Sequence, residues 1–184
     1  MLKKCLIQLL LILFLINCSS NNKIGDSEEK NATLESSESL YIQAMVYFDE
    51  ANYQLALNSF NEIIKIYPLS NEAIQSQIMS AFIDYIKLNY DEAIYKFDRI
   101  INNYPSLKNI DYVYYMKAMC YYEQITHEGL DGENNILALN NLNEVIKRFP
   151  DSDYAKDSQQ KIVLVKSNIA AKHMNIGRYY QKKD

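Results

Sequence analysis

The sequence contains few residues that interrupt helices, with four glycines and three prolines among 184 residues. It has no tryptophan and no alternating runs rich in valine or threonine between turn residues, which argues against a β-sheet protein. Glycine-rich phosphate loops, nucleophile elbows and paired-carboxylate motifs are also missing from it, so no catalytic residues can be nominated. The long uninterrupted segments therefore predict an all-α protein that is not an enzyme.

Charge and histidine content exclude two further classes of site. The formal net charge is -4 and no basic block occurs, which argues against a nucleic-acid partner. The only histidines, His127 and His173, have no cysteine or carboxylate cluster around them at metal-ligand spacing. We therefore predict no metal site and no cofactor other than a covalent lipid.

The first seventeen residues predict an export signal. Lys3 and Lys4 precede an apolar run over residues 6–16, which is too short to span a bilayer comfortably. The following Leu15-Ile16-Asn17-Cys18 resembles the bacterial lipobox, although Asn17 stands where Gly, Ala or Ser is usual. The resemblance implies cleavage before Cys18 and acylation of that cysteine, with palmitate among the expected chains. The alternative is a plain signal peptide with an incidental cysteine.

Residues 18–36 predict a lipidated, flexible tether, because they are polar and contain no aromatic ring. More than one acyl chain makes membrane anchoring durable. Ser19 follows the cysteine where an inner-membrane retention signal typically has Asp, so the resemblance implies the outer membrane. Removal of Cys5 and acylation of Cys18 would leave Cys120 without a disulfide partner, and we expect Cys120 to be a small buried hydrophobic residue.

Three segments that end in proline repeat one pattern. They end at Pro68, Pro105 and Pro150, and each has an alanine, apolar residues four and seven positions later, and an aromatic residue before the proline. The pattern predicts one buried helical face followed by a stop. Its positions are Ala56, Phe60, Ile63 and Tyr67; Ala93, Phe97, Ile100 and Tyr104; and Ala138, Leu142, Val145 and Phe149.

A second helix precedes each of these segments. Its small residue is Ala44, Ala81 or Ala118, and the last two stand thirteen positions after the preceding proline. The prolines are 37 and then 45 residues apart, which indicates an eight-residue insertion. Two of the four glycines lie in residues 126–134, so we place the insertion there.

Paired helices with these small residues and a terminal proline resemble the tetratricopeptide repeat. The resemblance implies an all-α solenoid of about three and a half helix pairs over residues 37–184. The repeats are expected at about 37–70, 71–107 and 108–152, with a partial one at 153–184. Residues 176–184 align with residues 44–52 of the first repeat. Asp84 departs from the pattern, since an aromatic residue is usual at its position.

A lipoprotein signal joined to such repeats resembles the BamD family of outer-membrane assembly lipoproteins. The match lies in residues 109–119, in residues 149–154 and in Tyr179-Tyr180. The resemblance implies a non-catalytic scaffold at the periplasmic face of the outer membrane of a Gram-negative cell. Its implied partners are a BamA-like barrel protein, other assembly subunits and unfolded outer-membrane protein segments. The alternative is another lipid-anchored tetratricopeptide adaptor in envelope maintenance.

The first helix of each tetratricopeptide pair lines a concave groove through positions two, five, nine and twelve. By this resemblance, the expected groove residues are Tyr41, Met45, Phe48, Ile78, Phe82, Tyr85, Tyr112, Tyr115, Met119 and Tyr122. The last four fall within an arc of about 80° on one helix, and Tyr114 and Tyr121 belong to a separate stripe. Aromatic rings suit a peptide ligand, although the tether, the insertion or a neighbouring helix could cover them instead.

Overall fold

A computed structural model of the chain describes residues 35–125 and 132–183. The predicted signal peptide, Cys18, most of the predicted tether and His127 lie outside the described residues. Within them the chain forms seven α-helices and no strand. The helices are α1 (Ser37–Asp49), α2 (Tyr53–Ile66), α3 (Asn71–Ile86), α4 (Tyr90–Asn103), α5 (Ile110–Glu123), α6 (Gly132–Arg148) and α7 (Asp153–Gln181).

Each helix packs on the next one in sequence, and the odd-numbered helices also contact one another in order. Thus α1 contacts α3, α3 contacts α5, and α5 contacts α7. The first helices of successive pairs therefore form one layer, which we call the first-helix layer. This arrangement confirms the predicted all-α tetratricopeptide solenoid.

The repeated small and apolar positions form the core, as their spacing predicts. All six alanines of the pattern are fully buried: Ala44, Ala56, Ala81, Ala93, Ala118 and Ala138. Phe60, Phe97 and Leu142 are also fully buried at the position four residues after the second alanine of each pair. Alanine lets two helix axes approach closely, and the larger residue fills the space beside it.

The first helices start in the same way in three repeats. Ser36, Ser70 and Ser152 are the N-cap residues of α1, α3 and α7, and each Oγ accepts a hydrogen bond from a backbone N–H three residues later. These bonds satisfy amide groups that have no partner inside the helix. The second helices α2 and α4 start at Asn52 and Asn89, whose side chains make no such bond.

Tight three-residue connections join the helices of the first two pairs. Ala51 and Leu88 occupy equivalent positions in them with φ of 57° and 61°. At these points Asn52 N–H donates to the carbonyl of Tyr47, and Asn89 N–H donates to that of Asp84. Both turns therefore contain a residue in the left-handed backbone conformation that commonly ends a helix. Alanine and leucine adopt this conformation here, where glycine is usual.

The second helix of the third pair is longer than the second helices before it. Eight residues separate Glu123 from Gly132, against three in each of the first two pairs. Helix α6 has 17 residues, whereas α2 and α4 have 14 each. Part of the eight-residue insertion therefore lies within α6.

Helix α7 has 29 residues and begins directly after the Pro150 stop. It packs along α6, so that the side chain of Lys172 lies beside Gly132. Ile176, which the alignment pairs with the fully buried Ala44, is 45% exposed near the end of this helix. Among the helices in the described ranges, none combines the length and the apolar composition needed to cross a membrane.

Candidate functional site

The structure leaves eight of the ten predicted groove residues half-buried on the first-helix layer. The other two, Ile78 and Met119, are only 5% and 6% exposed and belong to the core. Ile78 packs in one cluster with Val113 and Met116 of α5, because it lies where α3 and α5 approach each other. For these two residues the prediction of a partner-facing side chain is wrong.

A connected series of rings crosses the first two repeats, and we call it the ring ladder. It consists of Tyr53, Phe48, Phe82, Tyr85 and Tyr90, in order of contact. The centroid of Phe48 on α1 lies 6.0 Å from that of Phe82 on α3, and Phe82 stacks on Tyr85 at 6.0 Å. The two ends of the ladder are Tyr53 and Tyr90, the first residues of α2 and α4. Their ring centroids lie 5.8 Å from those of Phe48 and Tyr85, respectively.

The remaining groove residues of the first repeat support the first helix pair. Tyr41 lies 5.8 Å, between ring centroids, from the fully buried Phe60 of α2. Met45 packs in the same cluster. These two side chains are therefore partly exposed and also pack against the core of the first helix pair.

The rings of the third repeat contact the neighbouring helix α7. Tyr154 lies 5.6 Å from Tyr112 and 5.0 Å from Tyr115, between ring centroids. The hydroxyl of Tyr115 donates a 2.6 Å hydrogen bond to Oδ2 of Asp157. The alternative in which a neighbouring helix covers the groove rings thus holds for the third repeat. The ring ladder of the first two repeats is the part of the groove that remains for a ligand.

Tyr122 is covered on one side by a lysine of α7. The Nζ atom of Lys161 lies 5.1 Å from the Tyr122 ring centroid and 3.3 Å from Oδ2 of Asp157. An ammonium group is thus held between an aromatic face and a carboxylate, two environments that both attract cations.

Burial and nearby carboxylates keep the groove tyrosines protonated. Burial raises the pKa of Tyr112 to about 12. The pKa values of Tyr85 and Tyr115 are also raised, first by burial and then by Glu123 and Asp157 respectively. The hydroxyl of Tyr85 lies 3.4 Å from Oε1 of Glu123, to which it donates. These hydroxyls therefore act as hydrogen-bond donors at neutral pH rather than as acids.

Two tyrosines of the separate stripe pack between α5 and the helices that follow it, as their helical phase predicts. Tyr114 lies 5.3 Å from Phe149 between ring centroids, and Tyr121 joins the cluster formed by α5, α6 and α7. Cys120 is fully buried, and burial raises the pKa of its thiol to about 12. It is therefore the small buried residue that we expected.

The sequence interpretation missed Tyr154, Asp157 and Lys161 of α7. The signal available in the sequence is the partial repeat itself, because all three residues lie at the start of residues 153–184, to which we assigned no groove residue.

The described residues contain no group of three or more His, Cys, Asp or Glu side chains that could hold a metal ion. His173 is exposed on α7. Half-buried rings with hydroxyl donors and carboxylates beside them can instead bury apolar side chains of a peptide and hydrogen-bond its backbone.

Comparison with known proteins places the chain in a family. The model of the YfiO family, described as an outer membrane lipoprotein, matches residues 34–184. The outer membrane protein assembly factor BamD of Rickettsia prowazekii is 34% identical over 183 residues, covering 99% of this chain and 70% of that protein. BamD of Caulobacter vibrioides is 36% identical over 145 residues, covering 79% of this chain and 48% of that protein.

Two solved structures share the fold with low sequence identity. A double mutant of MamA RS-1 has a TM-score of 0.50 at 13% identity and covers 76% of each chain. MamA from residue 41 to its end, from Desulfovibrio magneticus RS-1, has a TM-score of 0.50 at 13% identity, with 78% of this chain and 77% of that chain covered. These structures support the fold alone. The family match and the two BamD relatives show that the chain belongs to the YfiO/BamD family of outer membrane lipoproteins.

Proposed function

We propose that the protein is a non-catalytic scaffold of the machinery that assembles β-barrel proteins in the outer membrane. Its relatives are named outer membrane protein assembly factors, and its family is described as an outer membrane lipoprotein. In this proposal Cys18 carries the lipid and residues 18–36 form the tether. The helical domain then lies at the periplasmic face of the outer membrane.

The ring ladder is the observation that supports a binding role. Its rings connect α1 to α3 across two repeats, and Phe48, Phe82 and Tyr85 all remain partly exposed. Aromatic rings bury a large area at low rotamer cost, and tyrosine hydroxyls can still reach a peptide backbone. We propose that the ladder holds segments of unfolded outer-membrane proteins, whose strands carry aromatic residues.

The scaffold role also requires partner subunits, with a BamA-like barrel protein first among them. Purification of the lipidated protein from detergent-solubilised membranes tests this part of the proposal. Recovery of a BamA-like barrel protein supports it. Recovery of the lipidated protein without any barrel protein would favour a separate adaptor in envelope maintenance.

Peptide binding can be tested with ring-to-alanine substitutions. We expect Phe48→Ala and Tyr85→Ala each to weaken binding of an aromatic-rich peptide from a β-barrel strand by about tenfold, since a central interface ring contributes more than about 1 kcal/mol. Fluorescence anisotropy gives the affinity. The matched control is Tyr95→Ala, at an exposed ring of α4 outside the groove.

Circular dichroism establishes that each variant is folded before the titration. A folded Phe48→Ala or Tyr85→Ala variant that binds the peptide as tightly as Tyr95→Ala would contradict the peptide-groove proposal.

A further inference from the structure

Within the first-helix layer, α1, α3 and α5 are acidic, whereas α7 is basic, with two carboxylates and five cations. Helices α1, α3 and α5 contain six carboxylates and one cation, Lys117. Their partners α2, α4 and α6 contain six carboxylates and five cations. The six carboxylates of the first helices are Glu38, Asp49, Glu72, Asp84, Asp111 and Glu123.

Two of these charged groups pair with opposite charges on α4. Asp84 pairs with Lys96 of α4 at 2.5 Å, and Lys117 pairs with Asp98 of the same helix at 2.7 Å. Helices α1, α3 and α5 therefore contain five further carboxylates and no further cation, and α7 places the ammonium group of Lys161 over the Tyr122 ring. A groove of this kind attracts positively charged ligands.

Two of these carboxylates, Glu123 and Glu72, lie beside groove rings. Glu123 accepts a hydrogen bond from the Tyr85 hydroxyl at one end of the ring ladder. Glu72 raises the pKa of Tyr41 further, after burial, and accepts a hydrogen bond from Ser37. A ligand that contacts the rings thus also meets the carboxylates.

The chain itself shows how a cation fits this chemistry. Lys161 of α7 places its ammonium group over the Tyr122 ring, and it also pairs with Asp157, which Tyr115 hydrogen-bonds. The same combination of an aromatic ring and a carboxylate occurs at Tyr85 and Glu123, within the ring ladder.

We propose that the groove selects peptide segments in which lysine or arginine residues alternate with aromatic or aliphatic residues. The apolar side chains contact the ring ladder, and a cation lies over Tyr85 and pairs with Glu123. This inference rests on the proposed peptide-binding function and adds the charge of the bound segment to it.

Three peptides of equal length and equal aromatic content test the inference. They carry lysine, glutamine or glutamate at alternate positions, and their affinities are measured by fluorescence anisotropy at low and high salt. We expect the lysine peptide to bind roughly tenfold more tightly than the glutamine peptide and the glutamate peptide to bind most weakly. The advantage of lysine should shrink between roughly 50 and 300 mM salt, as screening increases.

Glu123→Gln removes the charge and keeps an oxygen that can accept the Tyr85 hydrogen bond. We expect it to reduce the lysine preference several-fold. Glu62→Gln, at an exposed site on the second helix α2, is the matched control and should preserve the preference.

The possible failures are distinguishable. Equal binding of the lysine and glutamine peptides would overturn the charge inference and leave the peptide-groove proposal standing. An absence of binding by all three peptides to the folded protein would overturn both. A lysine preference that Glu62→Gln reduces as much as Glu123→Gln would show that overall charge, and not the groove, causes it.

Discussion

The five tyrosines of α5 show how far a single helix can be interpreted from its sequence. Helical phase correctly separated Tyr114 and Tyr121, which pack toward the following helices, from Tyr112, Tyr115 and Tyr122. It could not reveal that α7 contacts the latter three. Their neighbours come from residues more than thirty positions later in the chain, and a periodicity within one helix contains no information about them.

Asp84 gives a second example at the scale of the residue. The sequence showed that it departs from the usual aromatic residue, and the structure gives the physical reason. Asp84 is only 7% exposed, and Lys96 of α4 neutralises it. A buried carboxylate requires such a partner, but its identity depends on how two helices pack.

The raised tyrosine pKa values predict a loss of stability in alkali. Between pH 10 and about 12 the unfolded chain loses the Tyr112 proton while the folded chain keeps it, so rising pH favours unfolding. Tyr112→Phe removes this contribution, which we expect to be on the order of 1 kcal/mol after allowance for solvent screening.

Urea denaturation at pH 9 and pH 11 measures the effect, with the exposed-ring variant Tyr95→Phe as control. The loss of stability between the two pH values should be smaller in Tyr112→Phe than in Tyr95→Phe. Equal losses in the two variants would show that Tyr112 titrates alike in the folded and unfolded chains.

At the scale of the helix, the sequence predicted where helices pair and where they stop. The alanine positions and the prolines sufficed for this, because both act through local backbone geometry. The sequence also placed the last repeat at residues 153–184, and α7 begins at Asp153. It did not predict that α6 is longer than α2 and α4, because that length depends on how far the helix extends while it packs on its neighbour.

The serine caps give a prediction at this scale. Ser70→Ala should destabilise the protein by about 1 kcal/mol, because its Oγ accepts the backbone hydrogen bond of Ala73 at the start of α3. Asn89→Ala, at the start of α4, should cost less because the Asn89 side chain makes no capping bond.

Urea denaturation midpoints compare the two variants, and Ser70→Asp tests the mechanism because aspartate can also cap a helix. Ser70→Asp should retain most of the stability. If Ser70→Ala proved no more destabilising than Asn89→Ala, the capping bond would not contribute to stability.

At the scale of the whole molecule, the fold brings aromatic residues from separate repeats onto one layer of helices. Only stacking of α1 on α3 places Phe48 beside Phe82, since the two residues are 34 positions apart in the sequence. The same stacking brings Glu123 of α5 beside Tyr85 of α3. The central claim is that this layer receives unfolded outer-membrane protein segments.

Site-specific photo-crosslinking in the intact, membrane-anchored protein tests that claim most directly. A photoreactive phenylalanine analogue replaces Phe82 in the ring ladder or, as a control, Ile136, which is 55% exposed on α6. We predict that position 82 crosslinks to newly exported β-barrel proteins before they fold and that position 136 does not. A folded, anchored protein that gives no barrel crosslink from position 82, or equal crosslinks from both positions, would contradict the account.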